Sequence, residues 1–212
     1  MGNLLGNFNF LSRRGRAKGR FATLAELETF LSAHAALISQ KSLIGYCNVK
    51  TMLPLHELLR DRPFYVAYYV ARWEAFVAIL ADIAVVLDEF LAPVAELPAA
   101  VRHAALVKCF DAVVRQNAPP TEGATSRPED LVVELKARLA EREGKPPLGV
   151  ARIATVGARR LFKTVPIHAR LAKPDQPAVE AGVKFMMVRS CGGLAEKFDR
   201  EALAAAILAA AE

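Results

Sequence analysis

The chain has 212 residues, 53% hydrophobic and 24% charged, a balance that excludes wholesale disorder and a fibrous repeat and leaves room for one ordinary core. Cys47, Cys109 and Cys191 stand far apart with no Cys-x-x-Cys pair, so neither a zinc knuckle nor a disulfide framework is encoded, and the cytoplasm or another reducing compartment is the expectation. The net charge of +6 is unevenly spread: residues 1–25 and 144–174 are basic and free of acids, and the remainder is net acidic.

Residues 1–20 read as a basic amphipathic arm. Met1, Leu4, Leu5, Phe8 and Leu11 recur at helical intervals, and Arg13, Arg14, Arg16, Lys18 and Arg20 come directly after them. An apolar face joined to a polybasic patch suits a peripheral protein on an anionic bilayer, and equally a protein or nucleic-acid partner.

The main helical bundle is expected over 21–117. Thr23-Leu24-Ala25-Glu26 has capping-box spacing, so a helix begins at Leu24, with Leu27, Leu31, Ala35 and Ile38 in period and Gly45 and Asn48 punctuating the stretch beyond them. Pro54 opens a short helix. Pro63 opens the longest one, over 64–91, and Pro93 marks its end. Pro98 then introduces a helix running to about Asn117.

Residues 118–127 form a turn-rich linker, and 128–212 a smaller C-terminal helical portion of the same or a second domain. Ser126-Arg127-Pro128-Glu129 repeats the capping signature ahead of a mostly polar surface helix over 131–143. A basic amphipathic segment spans 150–164. Two helices joined at Cys191-Gly192-Gly193 complete the chain, the last over 194–211. The fold class is therefore all-α, a helical bundle around a long central helix at 64–91. That segment is interrupted by Arg72, Glu74, Asp82, Asp88 and Glu89 and falls short of a membrane span.

On a helical wheel the central helix divides in two. Glu74, Asp82, Asp88 and Glu89 share a strip with alanines and read as a solvated face; a carboxylate metal site is disfavoured because the chain has no Glu-x-x-His, and no metal is expected. Tyr65, Tyr69 and Phe76 occupy the other face. Arg72 projects toward these aromatics, where a carboxylate from a neighbouring helix, a stem long enough to reach water, or the acidic group of a ligand must answer its charge. His34 and His103 fall within apolar arcs and read as core histidines bonded to backbone carbonyls.

Cys191 ahead of its glycine pair reads as a helix-to-helix turn, and no Gly-x-Ser-x-Gly, phosphate-loop or His-Glu-x-x-His motif is present. In the second basic segment Arg152, Arg159 and Lys163 share one side of a helix, with Arg160 at its border. These residues point to a non-enzymatic binding or assembly subunit that engages an anionic surface or large partner through 13–20 and 145–173. The partner would be a protein assembly, a membrane interface or a nucleic acid, and no cofactor is expected. The alternative is a helical pocket in which Arg72, His34, His103, Tyr65 and Tyr69 hold a small acidic ligand or haem.

Overall fold

A computed structural model describes residues 20–212, and residues 1–19, with the arm's Arg13, Arg14, Arg16 and Lys18, lie outside the described part. The chain is an all-α bundle. α1 (Leu24–Thr51) starts where the capping box places it: Thr23 accepts from the Glu26 amide while the Glu26 carboxylate accepts from the Thr23 amide at 3.1 Å. Gly45 does not end this helix. It lies exposed inside α1, which runs on to a left-handed cap at Met52, because the apolar period continues through Leu43 and Cys47.

The short α2 (Leu55–Leu58) comes next, then α3 (Arg62–Leu91), whose first turn is capped by the Asp61 carboxylate with Pro63 at its start. α4 (Ala99–Gln116) and α5 (Pro128–Arg142) succeed it, then α6 (Val150–Ile153) and α7 (Thr155–Thr164), separated by a break at Ala154. α8 (Ala169–Ala172) leads through a tight turn into α9 (Gln176–Cys191), α10 (Leu194–Lys197) and α11 (Arg200–Ala209). The expected final helix over 194–211 is thus split, because Phe198 leaves the helix and Asp199 caps a new start by accepting from the Ala202 amide.

α3 is the axis. It is buried on nearly every side, with α1 and α7 packed along its length and α4 and α5 on its flanks. Cys47 and Leu43 of α1 share a cluster with Tyr68 and Ala71, whereas Phe30 of α1 and Phe90 of α3 both meet Phe198, so α1 and α3 run antiparallel. The main core is continuous from Leu27 to Ile207.

Phe198, fully buried, fastens the two ends of the described chain. Its ring lies 5.0 Å from Phe30 and 5.3 Å from Phe21, and the Phe21 amide donates to the Lys197 carbonyl while the Asp199 amide donates to the Phe21 carbonyl. Burying a phenylalanine of this kind contributes roughly 1.5–3 kcal/mol.

The acidic strip of α3 is not a solvated face. Glu74, Asp82 and Asp88 are buried and Glu89 nearly so, and each meets partners beyond its own helix. Glu74 accepts from the Thr125 and Ser126 amides at 3.0 Å each and from both hydroxyls, so Ser126 is spent on α3 and the cap position of α5 falls to Arg127. Asp82 accepts from Arg138 at 2.5 Å and from the Gly157 amide at 2.8 Å. Asp88 accepts from Arg102 at 2.6 Å, with His103 Nε2 at 3.2 Å. Glu89 accepts from Arg142 and from the Leu148 and Gly149 amides just ahead of α6.

A charge this deep is tolerated only when paired and hydrogen-bonded, and here pairing is also topology. Glu74, Asp82 and Glu89 each receive the amide-rich start of a different helix, α5, α7 and α6, where free N–H groups favour an anion. α5, expected as a surface helix, buries Leu131, Leu135 and Leu139 and sends Arg138 and Arg142 to α3.

Candidate functional site

α7 comes unusually near α3, and its sequence explains why. Gly157, Ala158 and Leu161 face inward, so two of the three contact residues have almost no side chain. A Cβ added at Gly157 would stand 2.6 Å from Asp82 Oδ2, closer than such atoms approach, and 3.3 Å from the Ile79 Cα, a tight contact with backbone, and only glycine lets its own amide reach that carboxylate.

This docking decides what α6 and α7 show to solvent. With Ile153, Ala154, Gly157, Ala158 and Leu161 turned inward, the outward stripe is Arg152, Val156, Arg159 and Lys163. Arg170 and Lys173 continue the exposed basic run beyond α7. These five cations have no ion pair among the described residues. Arg160 does not belong with them: its guanidinium pairs with Glu134 of α5 at 3.2 Å. Arg20 is exposed at the start of the described chain.

Three arginines on α4 and α5 behave in the opposite way. Arg102, Arg138 and Arg142 are turned inward and matched to Asp88, Asp82 and Glu89. Basic residues therefore differ in what holds them: some are spent inside on α3, and others, including this unbroken run on α6 to α8, are left outside.

The alternative pocket residues divide between the two ends of α3. Tyr65 and Tyr69 have ring centres 4.6 Å apart, and Arg72, half-buried, acts electrostatically on Tyr68 and Tyr69. Burial pushes the Tyr68 phenol up to about 12 against the pull of Arg72. His103 faces Asp88, 16 residues farther along α3, about 24 Å away at about 1.5 Å per residue. His34 lies 4.2 Å from the Phe30 ring, toward the Phe90 end. The structure thus keeps Arg72, Tyr65 and Tyr69 together and separates them from both imidazoles.

Among the described residues neither histidine bonds a backbone carbonyl, contrary to expectation. His34 Nδ1 is buried with no hydrogen-bond partner among the described residues, and burial, aided by the Lys197 charge, lowers its pKa to about 4, so the ring is neutral at pH 7. Among the described residues no group of three or more His, Cys, Asp or Glu side chains is placed to hold a metal ion. Cys191 is buried and its thiol is pushed up to about 12, the reverse of an activated nucleophile, and Lys197 donates to the Ser190 and Gly192 carbonyls beside it.

Two features escaped sequence reasoning. Gly157 announces itself as a glycine inside an amphipathic helical pattern, which signals close approach of another backbone. Met52 and Leu171, exposed at 85% and 60%, carry no such signal, since an isolated apolar residue near a turn is ordinary until its neighbours in space are known. No helix among the described residues is long and apolar enough to cross a membrane. Comparison with protein-family models, with curated proteins and with solved structures finds no match to this chain.

Proposed function

We propose that the chain is a non-catalytic helical binding subunit that engages an anionic surface through the exposed face of α6 to α8, together with the basic residues 13–20. The observation that carries this reading is a run of uncommitted cations: Arg152, Arg159, Lys163, Arg170 and Lys173 are exposed with no ion pair among the described residues, in a segment without an acid, while Glu134 already holds Arg160. A stripe of uncompensated cations raises the local concentration of polyanions and speeds their encounter. It does so without reading sequence or shape, which is why the partner is a class of surface and not a specific motif.

The experiment is a salt titration of binding to a duplex DNA probe, used as a polyanion of known charge spacing. Affinity should fall steeply with salt. The triple change Arg152→Gln, Arg159→Gln and Lys163→Gln should shallow the logarithmic slope by roughly 3, about one per lost phosphate contact. These residues are exposed, so the melting temperature should be unchanged. An identical slope in wild type and triple variant would overturn the reading.

A further inference from the structure

One end of the molecule joins uncommitted cations to exposed apolar side chains. The Asp175 carboxylate accepts from Tyr46 at 3.0 Å and pairs with Lys50 at 2.7 Å, which fixes the C-terminal turn of α1 beside the turn after α8. Val165, just past α7, and Leu55, Leu58 and Leu59 around α2 pack on the same small cluster of Leu43, Cys47, Tyr68 and Ala71, so α2 and the end of α7 meet there too.

Around that cluster, four large apolar residues at this end turn outward. Met52 is 85% exposed, Val49 75%, Leu171 60% and Leu53 45%. Met52 also holds a left-handed backbone, φ +59°, and is the non-glycine residue with positive φ among those described. That position ordinarily takes glycine or asparagine, so a largely exposed methionine there adds little to the fold.

The charges nearby are lopsided in what they are committed to. Asp175 is held by Lys50 and Tyr46, Asp61 caps α3, Glu122 pairs with Arg62, and Glu57 lies 3.9 Å from His56. Arg60, Lys163, Arg170 and Lys173 are exposed and have no ion pair among the described residues. Apart from Glu57, whose neighbour His56 is charged only when protonated, each of these acids has a partner, and the surplus of uncommitted charge is cationic.

We infer that this end of the bundle docks on an anionic lipid bilayer, with Met52, Leu53 and Leu171 entering the interface and Arg60, Lys163, Arg170 and Lys173 meeting the headgroups. The inference rests on the anionic-surface reading and adds its partner. A nucleic acid would use the cations but has no apolar layer to receive an exposed methionine and leucines. A bilayer uses both, and shallow apolar insertion with electrostatic attraction is the pairing that holds peripheral proteins in place.

The test uses the full chain and sedimentation with vesicles of phosphatidylcholine, with and without phosphatidylglycerol, beside the duplex DNA titration. The variant Met52→Asn, Leu53→Ser, Leu171→Ser keeps every charge, and asparagine accepts the left-handed backbone. Wild type should bind the phosphatidylglycerol vesicles and not the neutral ones. The variant should lose at least about tenfold in vesicle affinity, from the apolar groups it no longer inserts, with DNA binding and melting temperature unchanged. Vesicle binding equal to wild type in the variant overturns the bilayer proposal, as does wild type that binds DNA but no vesicle; the second result leaves the anionic-surface reading intact. Binding to neither overturns both.

Discussion

Gly157 has no side chain, and that is its contribution: its amide reaches Asp82 because nothing intervenes. Gly157→Ala should cost at least about 1–3 kcal/mol by overpacking, with the lost amide bond to a buried carboxylate added, and urea unfolding monitored by circular dichroism checks it. His34 and Asp82 make a second residue-scale case, because burial moves them in opposite directions. His34 falls from 6.5 to about 4, so its contribution is present above the unfolded value and is lost as pH drops toward 4. Burial lifts Asp82 from 3.8 to about 6 against the pull of Arg138 and the Gly157 amide, so its contribution is present below 3.8 and lost as pH rises through 6. Between pH 4 and 6 the two slopes oppose. Melting temperatures of wild type and His34→Leu should therefore move relative to one another: the wild-type value should decline against the variant as pH falls from 6.5 to 4. Parallel curves would show that the imidazole titrates alike in both states.

Among the elements, α3 shows best what a sequence discloses and what it conceals. Its length, its start at Pro63 and its end before Pro93 arise from local chemistry, as do the capping box of α1 and the proline-led start of α4. The acidic strip misleads because its alanines make it resemble a water-facing surface. In the fold those alanines leave space for neighbouring helices to come close, and the partners of Glu74, Asp82 and Glu89 stand more than fifty residues downstream, beyond any local pattern. A long sequence separation likewise hid Arg160's pairing with Glu134, whereas the exposure of Arg152, Arg159 and Lys163 was legible from helical period alone. The carboxylate clamps give a direct test. Arg138→Met leaves Asp82 buried with one amide donor and should cost about 3–5 kcal/mol, while adding Asp82→Asn removes the stranded charge and should recover much of it. Chemical denaturation of both variants checks this; equal losses in the two would mean that the pair is not what holds α5 to the axis.

At the scale of the whole molecule, Phe198 makes the last part of the chain belong to the first helix's core. Phe198→Ala should destabilise by about 3–5 kcal/mol, since three rings lose their common contact. A chain truncated before Leu194 should not fold cooperatively, which a melt without a sharp transition would reveal; a normal melt would show that α10 and α11 are an accessory layer.

The three thiols, all buried and all raised to between about 11 and 12, amount to a clock on the native state. A thiol-specific reagent at neutral pH can modify a cysteine only when the structure around it opens. Cys47 belongs to the small cluster under α2, while Cys109 and Cys191 belong to the main core. If that end of the bundle opens as a unit of its own, mass spectrometry will find Cys47 modified first and the other two later and together, and bound vesicles should slow the first event and leave the second unchanged. Simultaneous modification of all three would mean that the bundle opens only as a whole.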